Sequence, residues 1–218
     1  GIAFMNKKKI TRLMKEGNLV VNQPKRRKYS SYKGEPNLKI DNVINRGFSA
    51  TRPLEKITTD VTEFKYWWGK AYLQVYLDMF NGEIIAFNIT KTIPLQSTLD
   101  LLANLINAYG DQLKGSIVHS DRGWQYQEDA YISILKRNGM IQSMSRVGNA
   151  LDNSIIESFN RTVKMEFFKD TKVKCSGFAI FREELIKYIT YYNNDRIMNR
   201  LKTSPIKFRT EWEKKNGK

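Results

Sequence analysis

Between residues 56 and 90 apolar and polar positions alternate with period two, and β-branched residues are frequent. Ile57-Thr58-Thr59-Asp60-Val61-Thr62-Glu63-Phe64 reads as a strand, Ala71–Phe80 as a second and Glu83–Thr90 as a third. Asn81-Gly82 supplies a tight turn between the last two, so the three form an antiparallel meander. The period then lengthens. Pro94 introduces a helix over Leu95–Tyr109, with Leu99, Leu102, Ala103 and Ile106 expected to face inward. Gly115–His119 reads as a short buried strand, Glu128–Asn138 as a helix and the residues around Met140-Ile141 as one more strand. A loop from Gly148 then opens into a helix that carries an apolar stripe of Ile156, Phe159, Val163 and Phe167. A final packing pattern, Phe181, Leu185, Tyr188, Ile189 and Tyr192, predicts a helix over Phe178–Asn193. Antiparallel strands followed by alternating strands and helices give an α/β chain, a mixed sheet with helices on its faces.

The two ends differ from this middle. Residues 7–16 set Ile10, Leu13 and Met14 at helical spacing among cations, with Gly17 as a stop, which predicts a short basic helix. Lys25-Arg26-Arg27-Lys28 follows without periodicity and suits a linker lying along phosphates or a solvated tail. The tail, Arg196–Lys218, is basic and is expected to wrap the surface. Three segments result: a basic helix and linker over 1–55, a core over 56–170, and a C-terminal helix and tail over 171–218. The chain does not open on Met, as expected of a piece of a longer protein, and its first apolar patch is too short for a signal peptide.

Charge sharpens the division. Residues 1–56 hold 14 basic and 4 acidic residues, 57–159 hold 8 and 11, and 160–218 hold 15 and 7. Basic flanks around a mildly acidic middle suit a protein that grips a polyanion with its periphery and keeps carboxylates at its centre, with metal ions offsetting them. One cysteine, Cys175, and one histidine, His119, rule out an internal disulfide and any zinc site that needs a His pair. No apolar run is long enough to span a bilayer, and the near absence of cysteine fits a reducing cytoplasm.

Three carboxylates are placed for chemistry. Asp60 lies mid-strand, where a lone Asp is unfavourable unless something pairs or coordinates it. Asp121 follows a short strand beside a glycine turn, a position that projects into a cleft. Glu157 shares a helical stripe with Arg161 and Lys164, although Ser154 three residues earlier also makes a capping box with it. His119 is expected to be a packed strand-end residue, Asp78 a structural partner, and Trp67 and Trp68 core or interface residues.

On these motifs the chain resembles the DDE transposases and retroviral-type integrases, and most closely the integrase-core transposases of the third family of bacterial insertion sequences. The resemblance rests on Thr59-Asp60-Val61-Thr62, Tyr72-Leu73, Asp78, His119-Ser120-Asp121 with Gly123, Gln125 and Tyr126, Asn149, Asp152-Asn153, Glu157-Ser158-Phe159, Tyr192-Asn193-Asn194, Arg196 and Ser204-Pro205. It covers roughly residues 40–210 and extends to the thirty-five residues between Asp121 and Glu157. Two positions depart from the pattern. The tryptophan often found just before the first Asp is missing, and Met198 stands where a histidine is expected.

The resemblance implies an RNase H-like fold with a five-stranded mixed sheet flanked by helices. Asp60, Asp121 and Glu157 would be the catalytic residues and the ligands of two Mg²⁺ ions, with Mn²⁺ as a substitute. Asn160, Arg161, Lys164, Arg196 and the run Lys25, Arg26, Arg27 and Lys28 would contact DNA. The implied partners are the element's terminal repeats, target DNA and a second copy of the chain. A non-catalytic DNA-binding relative and an RNase H-like nuclease are the alternatives.

Overall fold

The computed structural model describes residues 6–19, 40–168 and 175–217. The basic run Lys25–Lys28 lies outside these residues. The chain divides into two units, Gly1–Ser31 and Tyr32–Lys218. In the first, α1 (Lys7–Glu16) is capped by the Asn6 side chain, which accepts a hydrogen bond from the Lys8 N–H at 3.0 Å. Its apolar stripe of Ile10, Leu13 and Met14 is exposed.

The second unit is built on a five-stranded sheet in the order β3-β2-β1-β4-β5. The meander is β1 (Lys56–Tyr66), β2 (Gly69–Asp78) and β3 (Ile84–Thr90), all antiparallel. β4 (Ile117–Ser120) lies parallel to β1, and β5 (Ile141–Met144) parallel to β4. The crossovers are helical: α2 (Leu95–Tyr109) joins β3 to β4, and α3 (Asp129–Arg137) joins β4 to β5. Beyond β5 come α4 (Ser154–Val163), α5 (Phe178–Asn194) and α6 (Pro205–Lys215).

Strand alternation sorts the core into two faces. Phe64, Tyr66, Leu73, Val75 and Leu77 pack against Ile156, Phe159 and Val163 of α4 and Phe181, Leu185 and Ile189 of α5. Ile57, Tyr76 and Val118 turn the other way, onto Leu101, Leu102 and Leu105 of α2 and Tyr131 and Leu135 of α3. Asp60 has the same parity as Phe64 and Tyr66, so it points to the α4 face.

Several local expectations need correction. The buried face of α2 runs through Thr98, Leu101, Leu102 and Leu105, one residue out of phase with the expected stripe, and Ala103 is exposed. Thr98 is drawn inward because its hydroxyl accepts a hydrogen bond from buried Gln74 at 2.7 Å. Trp68 stacks on Tyr66 and donates to the Cys175 carbonyl, whereas Trp67 stands in solvent, 75% exposed. The C-terminal tail is anchored as well as basic. Arg209 of α6 forks onto buried Glu83 at 2.7 and 3.0 Å, and Phe208 and Trp212 pack on Phe80. Residues 40–55, read from sequence as the end of a linker, belong to the larger unit. Met144 donates to the Asp41 carbonyl and Leu54 to the Asp78 carboxylate, both by backbone N–H.

Candidate active site

Parallel register brings two of the three candidate acids together. β1 and β4 pair up to Thr59 opposite Ser120, so the residues that follow are Asp60 on β1 and Asp121 just past the end of β4. Neighbouring strands run about 4.8 Å apart. The Gly123 N–H donates to Asp121 Oδ1 at 2.8 Å, and Asn160 Nδ2 of α4 donates to Asp60 Oδ2 at 2.8 Å. Asn160 therefore addresses a carboxylate, not the open helix face where a phosphate contact was expected.

Electrostatics mark this place. Burial, then the charge of Asp121, push the Asp60 carboxyl up to about 7. The Val61 N–H and Asn160 pull it down, and Glu157 adds a further upward push. Burial raises Asp121 too, against the Gly123 N–H. Glu157 is raised by burial, although its residue as a whole is exposed. Two adjacent acids that resist holding two negative charges, with a third close enough to be felt, are a donor set of hard oxygens suited to a divalent cation. Among the described residues, no three His, Cys, Asp or Glu side chains converge closely enough to hold an ion as they stand.

The helix that bears Glu157 begins differently from expectation. Asn153 occupies the cap without a side-chain hydrogen bond and Ser154 is already helical, so no capping box forms. Among the described residues the Glu157 side chain has no hydrogen bond or ion pair. Arg161 and Lys164 stand exposed on the same stripe, also without ion pairs among those residues. Arg196 is engaged elsewhere: its guanidinium forks onto Glu166 at 2.6 and 2.8 Å and lies over the Tyr192 ring. Met198 is a packing residue beside Gly82.

Around the acids the scaffold is closely bonded. His119 is buried, bonded through Nδ1 to Ser143 Oγ at 2.9 Å and through Nε2 to the Asp152 carbonyl at 3.0 Å, and burial depresses its pKa. Asp78 accepts from the Leu54 and Phe80 N–H groups, as a structural partner would. Asp152, five residues before Glu157, collects five hydrogen bonds, from Asn42, Arg46 and three nitrogens of Arg146. Sequence reasoning missed Arg46 and Arg146. Their common partner is 106 residues from Arg46, and no local pattern signals such a pairing.

An integrase core domain family model matches residues 50–150, and a second integrase core domain model matches residues 157–212. An uncharacterized transposase-like protein of Haemophilus influenzae is 40% identical over 210 residues, covering 95% of this chain and 94% of its own length. The chain belongs to the DDE transposases of the IS3 type. A putative transposase for the insertion sequence element IS150 of Escherichia coli is 38% identical over 213 residues, covering 95% of this chain and 72% of that protein. The HTLV-2 integrase catalytic core domain, solved in complex with magnesium, superposes with a TM-score of 0.59 at 17% identity, over 73% of this chain and 99% of that one. A chain of a simian T-cell lymphotropic virus intasome superposes with a TM-score of 0.61 at 15% identity, over 94% and 70%. The fold of this transposase is thus that of the retroviral integrase cores, RNase H-like. Among its described residues no helix is long and apolar enough to cross a membrane.

Proposed function

We propose that this transposase cuts and joins DNA strands at the ends of an insertion sequence by metal-dependent phosphoryl transfer, with Asp60, Asp121 and Glu157 as its catalytic carboxylates. The observation that carries the reading is the side-by-side placement of Asp60 and Asp121 by parallel β1–β4 pairing, both raised by burial and Asp60 also by the charges of Asp121 and of Glu157 on α4. Divalent ions, Mg²⁺ or Mn²⁺, held by the three acids would stabilise the attacking and leaving oxygens at phosphorus.

The chain's own groups do the rest. The sheet fixes Asp60 and Asp121 side by side, the Asn160 amide orients Asp60, and the Gly123 N–H orients Asp121. Glu157, with no partner among the described residues, is free to close on the pair when substrate and ions arrive. Arg161 and Lys164, one and two turns further along, then meet phosphates of the bound strand. Double-stranded DNA and a second copy of the chain are the partners of this scheme. The test uses DNA carrying the inverted repeats that flank the gene. Glu157→Gln should abolish Mg²⁺-dependent nicking and joining while DNA binding persists. Full joining by that variant overturns the assignment, and cleavage without joining by the wild-type chain makes the protein a nuclease.

A further inference from the structure

Asp152 lies under a pair of arginines that a purely structural ion pair does not require. Its carboxylate is 1% exposed and is already satisfied on both oxygens by the Arg146 fork, at 2.9 and 2.8 Å. Arg46 nevertheless adds a second cation, donating from Nε to Oδ1 at 3.1 Å and from Nη2 to Asn149 Oδ1 at 3.1 Å. Two guanidiniums share one carboxylate, so the cluster keeps a net positive charge. Both side chains are 46% exposed, and among the described residues the Nη1 nitrogen of neither has a partner. Arg46 also sits at φ 63°, next to Asn45 at φ 42°. Two successive non-glycine residues in the left-handed region persist only where surrounding contacts hold them.

The position gives the cluster meaning. Arg146 follows β5, whose Met144 pairs with Ser120, the residue before Asp121. Asp152 is five residues from Glu157 and its carbonyl bonds His119. Two oriented forks with outward N–H groups therefore stand one strand from a cluster of acids that repels the polyanion it acts on. Guanidinium forks match phosphate oxygens bidentately, and fixing them beforehand reduces the ordering cost of binding. We propose that Arg46 and Arg146, oriented by Asp152, form a binding site for a DNA backbone phosphate beside the acids. The proposal rests on the strand-transfer reading of the site and adds a contact that reading does not contain.

The test is the salt dependence of binding to a short fluorescent duplex by the full chain. Each phosphate contact contributes about −0.9 to the slope of log affinity against log salt. Arg46→Gln leaves the Arg146 fork on Asp152 and is expected to fold. It should flatten the slope by about 0.9 and weaken binding several-fold at about 0.1 M salt. Arg46→Gln with Arg146→Gln should flatten it no further than about 0.9, because both guanidiniums address one phosphate, while weakening binding more than the single variant does. An unchanged slope in the folded single variant overturns the proposal. A second measurement needs no variant: bound duplex should shield Arg46 and Arg146 of the wild-type chain from an arginine-selective reagent, and undiminished modification of both also overturns it. A chain that shows these effects but never joins strands would remove the strand-transfer reading and leave the phosphate site standing. Normal joining with an unchanged slope would do the reverse.

Discussion

Asp60 and Asp152 are aspartates of one small region whose carboxyls move in opposite directions. Asp152 is bonded to two guanidiniums, an asparagine amide and a backbone N–H, and the Arg146 hydrogen bonds hold its carboxyl well below the usual carboxylate range despite burial. Asp60 has one amide and one N–H to lower it, and burial with the charges of Asp121 and Glu157 carries it up to about 7. Burial raises both; the neighbours decide. The difference separates two uses of a carboxylate. Asp152 has its counter-charge within the chain and holds loop and helix in place. Asp60 has like charges beside it and is suited to a counter-charge from outside, as a metal-binding site requires.

The largest effect expected from breaking this contrast is catalytic. Asp60→Asn keeps the shape and the Asn160 contact distance but removes one carboxylate charge, and strand joining should fall by about three orders of magnitude, roughly 4 kcal/mol in the barrier. A joining assay with Mg²⁺ and with Mn²⁺ measures it; a loss below tenfold would show that Asp60 is not a ligand.

Next in size is the pH dependence of stability without metal. The folded-state carboxyl of Asp60 lies above its unfolded value of about 3.9, so the folded chain binds more protons between about pH 4 and 7. That contribution is fully present below about pH 4 and is lost as pH rises through about 7. Urea unfolding should lose about 3 kcal/mol between pH 5 and 8, assigned to the coupled Asp60–Asp121 pair. Asp60→Asn should flatten the profile and leave the metal-free protein more stable than wild type at pH 8. Asp152 has the opposite sign. Its depressed carboxyl stabilises above about pH 4, and that stability is lost as the solution becomes more acid. Asp152→Asn should cost about 3 kcal/mol at pH 7, the lower end for a broken buried ion pair because both arginines reach solvent. Unfolding curves for the two variants at one pH should therefore move in opposite directions.

How far the sequence foretold this depends on the range of the interaction. The β1–β3 meander was legible because period two and the Asn81-Gly82 turn are local signals, and the limits of α2 were legible for the same reason. Its buried face was not, because Thr98 goes inside through a hydrogen bond to Gln74, 24 residues away on another element. Asp60 and Asp121 could be singled out by position on their strands, and the register that sets them side by side follows from parallel pairing. The contacts that tune them were hidden. Asn160 reaches Asp60 across 100 residues, and Arg46 reaches Asp152 from a segment that reads as linker. Polar partners leave no periodicity in a sequence.

The smallest effect tests whether the Asp152 cluster fixes the backbone leading to Glu157. Gly148 lies between Arg146 and Asp152 at φ +69°, and a Cβ built there meets nothing within 4 Å. Gly148→Ala therefore introduces strain without a clash, about 1–2 kcal/mol if the loop is held. A chain of this size should then melt about 2–8 °C lower. Gly148→Asn, a residue that tolerates this conformation, should recover most of the loss. If the alanine variant melts with the wild type, the loop has relaxed to negative φ and the five hydrogen bonds of Asp152 do not determine the path into α4. If it melts lower and also joins strands more slowly, while the pH dependence assigned to Asp60 is unchanged, the cluster acts on Glu157 through the backbone and the two regions are mechanically linked though electrostatically opposed.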